Sequence, residues 1–451
     1  MAEQVDIVVI GMGVAGEEVA GPLAEKGLRV VGVEADLVGG ECPYWGCVPS
    51  KMAIRAANAL AEARRVDELA GHAAVTPDWA PVAKRIREQA TDDWNDEAAV
   101  DRFVGKGGIF VRGHGRLDGP SRVIVADRVF EVGRAVVIAA GTSPAVPPIP
   151  GLEDVEYWTN HDVLEAEELP ASVCVLGAGA IGVELAQVMA RFGTRVDIVE
   201  MEDRLIPLEE PEAGEALAAA FEAEGIGVHV GVSADSFSRT GDNVELVLSS
   251  GERLHAERVL VATGRRTNVK GLGLETIGFD EPPRFIPTDD RLRVTDGVWA
   301  VGDITGDGLF THKGVHEGRI ARTDILDPDG PGPVPSVLPR VTFTDPEVGS
   351  VGKTEAEARD AGLDVGVAVV KVSETARGWI HGVGNEGIIK LVADRDRGVL
   401  IGATAMGPHG GEVLGLLALA IQEATPIDRL ESMIYAYPTF HKGIEDALGE
   451  L

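Results

Sequence analysis

Two cysteines separated by four residues are the part of this sequence best equipped for chemistry. They lie in Gly39-Gly40-Glu41-Cys42-Pro43-Tyr44-Trp45-Gly46-Cys47-Val48-Pro49-Ser50-Lys51. A purely structural disulfide is a poor reading, because so short a loop gains little chain entropy from closure. Zinc would need two more ligands at suitable spacing, and the segment lacks them. A redox pair beside a cofactor fits better. The thiolate is the reactive form, and a helix N-terminus or a nearby cation favours it. The third cysteine, Cys174, sits in a strand-like apolar run and reads as a small buried hydrophobe.

The elements around this pair point to nucleotide binding. Val5–Ile10 reads as a strand, followed by Gly11-Met12-Gly13-Val14-Ala15-Gly16, a helix to about Lys26 and a strand Leu28–Val33 ending at Glu34. This is a βαβ unit carrying G-x-G-x-x-G and a later acid, the dinucleotide fingerprint. Gly11 permits the tight turn, Gly13 lets a pyrophosphate approach the backbone, and Gly16 lets the helix pack on the strand. The helix N-terminus adds free N–H groups and the positive end of its dipole. The pattern repeats in strand Ser172–Leu176, Gly177-Ala178-Gly179-Ala180-Ile181-Gly182, a helix to about Phe192 and strand Arg195–Val199 ending at Glu200. Two fingerprints imply two dinucleotide sites. Pro144–Gly151 and Asp327–Pro335 are Pro/Gly-rich and mark boundaries. The stretch from Ser336 mixes strands with a helix expected at Gly411–Glu423.

Length and composition bound the possibilities. A chain of 451 residues exceeds a single hydrophobic core. The 41 basic and 73 acidic residues leave a net charge of −32, which argues against nucleic-acid or anionic-membrane partners. Three cysteines exclude a disulfide scaffold. The longest apolar stretch, near Val413–Ile421, is far short of a membrane span. The start of the chain carries no basic segment of a signal peptide, so the cytoplasm is the expected location.

Taken together these motifs resemble the flavin-dependent pyridine nucleotide–disulfide oxidoreductases, the group that includes dihydrolipoamide dehydrogenase, glutathione reductase and mercuric reductase. Gly39–Lys51 matches the family's redox segment. Val259–Asn268 resembles the segment closing the nicotinamide domain, and Val298–Asp303 the second flavin motif. Pro339–Glu357 resembles the start of the dimerisation domain. The resemblance implies an α/β fold with two Rossmann-like dinucleotide-binding domains and an α+β C-terminal dimerisation domain. The expected bounds are 1–150 and 271–330 for the FAD domain, 151–270 for the NAD(P) domain and 336–451 for the interface domain.

The roles it implies are specific. Gly11, Gly13, Gly16 and Glu34 would bind the ADP half of FAD, with Gly40, Gly141 and Asp303 completing the flavin site. Gly177, Gly179, Gly182, Glu200 and Gly264 would bind the nicotinamide nucleotide. Glu200 accepts from a ribose 2′-hydroxyl and repels a 2′-phosphate, which favours NADH; Arg204 nearby leaves NADPH open. Cys47 would be the thiolate against the flavin and Cys42 the interchange thiol that meets substrate. Lys51 and Glu184 would form the ion pair beside the flavin, so that the cation is not buried unpaired. The enzyme would be a homodimer in which the C-terminal segment of one subunit completes the other's site, acting on a small-molecule substrate.

That segment departs from the family. Disulfide reductases of this kind carry His-Pro-Thr and, after two intervening residues, a Glu. Here Tyr437 stands for the His and Lys442 for the Glu, while Pro438 and Thr439 remain. A placed general base contributes roughly 10²–10⁴-fold. Tyrosine, with a pKa of about 10, suits a proton donor better than a base. His441, four residues on and expected on a helix that begins near Pro438, reads either as a displaced base or as an interface histidine. The metal-delivering cysteines of mercuric reductase and the tail of large thioredoxin reductase have no counterpart in Ala447–Leu451. Glu41 replaces the family's usual threonine. Tyr44 and Trp45 replace smaller residues and either wall off bulky substrates or simply pack. Three readings stand: electron flow through the Cys42–Cys47 disulfide to a non-standard disulfide or thiol-reactive acceptor, reduction of quinones or metal ions directly at the flavin, or a nucleotide-sensing interaction protein whose flavin has no turnover role.

Overall fold

The computed structural model describes residues 2–306 and 308–451. The chain forms two compact units. The first takes the chain up to Pro49, Arg85–Pro144 and Arg265–Pro335; the second takes Ser50–Lys84, Ala145–Gly264 and Ser336–Leu451.

The first unit is built on a parallel sheet. Its strands run in the order Val298–Ala300, Arg128–Ile138, Glu3–Ile10, Val30–Glu34 and Ile109–Arg112, with Arg293–Thr295 antiparallel at one edge. Continuous apolar runs suit such strands, which are buried on both faces. Ile7 and Val9 pack against Val19, Ala20 and Leu23 of the helix Val14–Glu25, while Val8 and Ile10 join Val123, Phe130 and Ile286 on the opposite face. Ile10 pairs with Val33 on one side and Ile138 on the other. The strands therefore end in register. Gly11, Glu34, Gly141 and Asp303 follow or close them at one edge, where open α/β sheets bind ligands.

The second unit repeats the arrangement and adds an antiparallel layer. Its parallel sheet runs Gly227–His229, Arg195–Val199, Ser172–Leu176, Arg258–Val261 and Tyr157–Trp158. From residue 336 on, a five-stranded antiparallel sheet runs Arg340–Thr342, Glu347–Gly352, Val399–Gly407, Ile388–Asp394 and Val365–Lys371. The helices Gly410–Gln422 and Lys442–Leu448 bury Leu414, Leu417, Ile444 and Leu448 in one core with Leu391 and Ala403 of that sheet.

The C-terminal helix is a correction to expectation. It begins at Lys442, with His441 at its N-cap, and not near Pro438. Residues 437–441 are turns: Thr439 Oγ1 donates to the carbonyl of Ala436, and the Lys442 amide reaches back to Thr439. Tyr437 and His441 therefore do not share a helical face. No helix among the described residues is long and apolar enough to cross a membrane. The charge is carried outside: among the described residues the only buried acids are Glu184, Glu210, Glu317, Asp324 and Asp394. Each faces a lysine or arginine within 4 Å.

Candidate active site

The redox segment folds as two consecutive helix starts. Gly39 and Gly40 have φ of +110° and +64°, which only glycine adopts without strain. They lead into one helical turn, Glu41–Tyr44, that carries Cys42. Gly46 then brings the chain back so close to Cys42 that a Cβ there would lie 3.1 Å from its Cα. Cys47 opens a 23-residue helix, Cys47–Leu69, at the end where the dipole favours negative charge. Its sulfur is 3.4 Å from Thr311 Oγ1. Cys42 is half-buried and Cys47 exposed. The thiol of Cys42 is pushed well above its ordinary range, first by its hydrogen bond to Cys47 and then by burial. Tyr44 is buried, with its hydroxyl 3.5 Å from the carbonyl of Asn95, so it packs inward.

The two glycine loops share one construction. Gly11 and Gly177 have positive φ, and a Cβ on either would strike a carbonyl oxygen, of Ala139 or Ala262. Gly16 and Gly182 press on the carbonyls of Gly11 and Gly177. Gly13 and Gly179 differ from these. Their φ of −67° and −69° suit any residue, and nothing crowds Gly179. Gly13 faces only Gly40, 3.9 Å away from a Cβ built there. Both cap their helices without a side-chain hydrogen bond, so the first N–H groups stay available to an anion. The acids are held identically. Glu34 accepts from the amides of Met12 (2.7 Å) and Asp36 (2.9 Å), and Glu200 from those of Ala178 (2.6 Å) and Glu202 (3.0 Å). These cradles fit two dinucleotide pyrophosphates. Gly13→Ala and Gly179→Ala should leave the thermal midpoint within a few degrees of wild type. The first should lower FAD content, and the second should raise the Michaelis constant for nicotinamide nucleotide by about tenfold or more. Unfolding of either variant on purification would contradict this.

Asp303 lies in the short turn Asp303–Thr305 after the strand Val298–Ala300. Glu317, on the helix Thr311–Leu326, accepts from the Gly302 amide at 2.7 Å and so sets the turn. Gly141 and Gly264 both have positive φ, and a Cβ on either would meet no atom within 4 Å.

Lys51 and Glu184 meet as expected, at 2.7 Å. Glu184 comes from the helix Ala180–Arg191, which grips the segment Phe343–Asp345 along its length. Glu184 accepts from the Phe343 amide (2.8 Å), Gln187 binds both the amide and the carbonyl of Asp345 (2.8 Å each), and Arg191 pairs with the Asp345 carboxylate. Lys51 also lies over the Phe343 ring, 4.7 Å from its centre. Glu184 is only 5% exposed, so its position is tightly determined.

At the other end of the chain, Tyr437 is 71% exposed and His441 is half-buried. Lys442 is engaged by Glu445 (2.6 Å) and Asp446 (3.3 Å). Sequence reasoning assigned no role to Thr311 or Glu317, which carry no local signal and become visible only through their contacts.

Comparison with known proteins agrees with this construction. Residues 5–322 match the pyridine nucleotide-disulphide oxidoreductase family, and residues 338–448 match that family's dimerisation domain. The chain is 34% identical to a dihydrolipoyl dehydrogenase of Chlorobaculum tepidum, covering 99% of this chain and 97% of the relative. It is equally 34% identical to a mercuric reductase of Shigella flexneri, covering 97% and 79%. In fold it is similar to the HOCl-induced flavoprotein disulfide reductase RclA of Escherichia coli, with a TM-score of 0.86, 24% identity and coverage of 98% and 99%. Proteins of the family bind FAD and NAD(P)H. The chain therefore belongs to the pyridine nucleotide-disulphide oxidoreductases, NAD(P)H-dependent flavoproteins, and carries their dimerisation domain.

Proposed function

We propose that this protein is an FAD enzyme that passes electrons from NADH to a Cys42–Cys47 disulfide and on to a non-standard disulfide or other thiol-reactive small molecule. The observation that carries this reading is the asymmetric cysteine turn, with Cys47 exposed at a helix start and Cys42 half-buried in the turn before it. Bound FAD would supply two-electron transfer between nicotinamide and sulfur. The Cys42–Cys47 disulfide takes up two electrons and one proton. Its S–S bond breaks, leaving a thiolate on Cys47 and a thiol on Cys42. Cys42 gives up its proton and attacks an acceptor disulfide, whose S–S bond breaks to leave a mixed disulfide on Cys42 and expel a first thiolate that takes up that proton; the Cys47 thiolate then attacks Cys42 Sγ, breaking the mixed disulfide, restoring the pair and releasing the second thiolate, which is protonated from solvent. Lys51, held by Glu184, supplies the cation that offsets charge during reduction.

The missing base shapes the rest. In a homodimer the C-terminal segment of a second copy would bring Tyr437 or His441 to this thiol. Tyr437 suits donation to the leaving thiolate, and Lys442, already engaged by two acids, cannot orient a base. The raised pKa of Cys42 has a definite sign: its reactive form grows as pH rises, so disulfide turnover should climb through the mildly alkaline range. NADH is the favoured donor. Glu200 repels a 2′-phosphate, and the Arg204 guanidinium is already engaged by Asp203 (2.8 Å) and the Pro207 carbonyl (3.0 Å). A cycling dithiol also suits the reducing cytoplasm.

The same missing dyad favours a second reading, flavin-level reduction of quinones or metal ions with the dithiol secondary. Anaerobic reductive titration separates the two. The holoenzyme should consume about four electrons per subunit if the cysteines cycle as a two-electron couple beside the flavin, and about two if they do not. Rapid mixing should show NADH reducing the enzyme at least about tenfold more efficiently than NADPH, since an unpaired like-charge contact costs more than 1.4 kcal/mol. An uptake of two electrons would defeat the disulfide reading.

A further inference from the structure

The residues after Glu200 form a loop that bonds back to the second glycine loop. The Ile206 amide donates to the carbonyl of Ala178 at 2.9 Å, and the Ala178 amide donates to Glu200. Ile206 is buried with a φ of +43°, a conformation that a β-branched residue holds only under strain. The loop therefore needs a restraint, and its far end has one. Both carboxylate oxygens of Glu209 accept from Arg340, Oε1 from Nε and Oε2 from Nη2, each at 3.0 Å. The Glu209 amide donates to the carbonyl of Ile206 at 2.9 Å. The next residue, Glu210, is 4% exposed and accepts from Lys390 Nζ (2.9 Å) and from the amide of Glu355 (2.7 Å). Lys390 is 1% exposed and also meets Glu212 (2.8 Å) and Glu355 (3.0 Å). Arg340, Glu355 and Lys390 all lie in the dimerisation domain, residues 338–448.

These ties differ in kind. A buried lysine among three carboxylates is a fixed anchor, since removing it would strand buried charge. A two-point arginine–carboxylate pair sets direction as well as distance. An unbroken series of contacts runs from Arg340 through Glu209, Ile206 and Ala178 to Glu200. We propose that Arg340 is a positioning residue for the nicotinamide nucleotide: by holding Glu209, beside the Lys390-anchored Glu210, it fixes the loop that keeps Ala178 and Glu200 in place for the adenosine half. The dimerisation domain then serves the nucleotide site of its own subunit as well as joining subunits. The inference rests on the nucleotide role given to the Gly177–Gly182 loop and Glu200 above.

Anaerobic rapid mixing of the holoenzyme with NADH separates binding from chemistry, through the half-saturating NADH concentration and the limiting rate of flavin reduction. Arg340→Met should raise the first about three- to tenfold and leave the second within about twofold, because a loosened adenosine site weakens ground state and transition state alike. FAD content should match wild type. Arg340→Lys, with its charge kept but its fork lost, should fall between the two. Glu209→Gln is isosteric and should raise half-saturation in the same direction, which keeps the test open if Arg340→Met fails to fold. The double variant Arg340→Met/Glu209→Gln strands no carboxylate, so its thermal midpoint should recover toward wild type while its half-saturating concentration stays raised. A contact that only stabilised the fold would let both recover. Unchanged half-saturation in these variants, or a limiting rate that falls as much as half-saturation rises, would overturn the proposal. Gly179→Ala is the reference. If it raises half-saturation and the Arg340 and Glu209 variants do not, the tie alone has failed. If it too leaves half-saturation unchanged, the reading of the second glycine loop has failed and the inference falls with it.

Discussion

Cys42→Ser is expected to lose disulfide turnover by about 10³-fold or more, the scale on which enzymes suffer when a nucleophile is deleted, while NADH still bleaches the flavin. Cys42 is the half-buried member of the pair and, in the proposed route, the one whose attack on an acceptor opens the second half-reaction. Cys47→Ser should lose the same turnover for a different reason, because no thiolate remains to release the mixed disulfide. It should also lower the pKa of Cys42. The hydrogen bond to Cys47 is the main cause of its elevation; burial would remain to raise it, opposed by the hydrogen bond to Thr311. Alkylation of the Cys47→Ser enzyme should therefore shift to lower pH. The acceptor panel must include quinones and metal ions as well as disulfides. If Cys42→Ser retains full activity on disulfides, the cysteine route is wrong. If quinone turnover is undiminished and wild type reduces no disulfide, the flavin-level reading replaces it.

Lys51→Met carries the second large effect, on stability and on reduction at once. Glu184 is 5% exposed, and beyond Lys51 it has the Phe343 amide as partner. Removing the lysine strands a buried carboxylate. Breaking a buried pair costs about 3–5 kcal/mol, and because a third of the Lys51 side chain is exposed the loss should fall at or below the lower end, roughly 2–3 kcal/mol. Equilibrium denaturation in urea measures it. Removal of a preorganised charge near developing negative charge typically slows chemistry by roughly 10²–10³-fold, and rapid mixing with NADH should show such a loss. Lys51→Arg should recover most of the stability. Glu184→Gln should cost less stability, because the amide oxygen can still accept from Phe343 while no buried charge is left unpaired. An unchanged rate of flavin reduction in Lys51→Met would remove this residue from the electron-transfer step.

Acidity and anion binding are reconciled locally. A chain with net charge −32 must hold two pyrophosphates. At the proposed sites the helix starts at Gly13 and Gly179 are uncapped by side chains, and the nearby acids Glu34 and Glu200 are tied to backbone amides. Each of those carboxylates is already partly satisfied, which moderates its repulsion of a phosphate.

Much of this was legible in the linear chain, for a definite reason. The glycine loops, the strands on either side of them and the tight cysteine turn are local: they follow from allowed backbone angles and from side-chain periodicity over a few residues. The strand Ser172–Leu176 and the helix after Gly179 lie within a residue of where that pattern put them. The C-terminal segment was misread because Pro438 resembles a helix start, whereas Thr439 bonds back to Ala436 and delays the helix to Lys442.

What no local pattern could supply is the pairing of side chains distant in the chain. Lys51 and Glu184 are 133 residues apart in sequence, and only the resemblance joined them. Glu209 with Arg340, and Glu210 with Lys390, had no such guide. Those contacts depend on the order and register of the sheets that carry them, a collective outcome of packing. The sequence alone determined that this is a two-nucleotide protein with a cysteine pair beside its first glycine loop. Only the tertiary structure decided which distant charges meet, because a charge is neutralised by whatever group the folded sheet brings within a few ångströms of it.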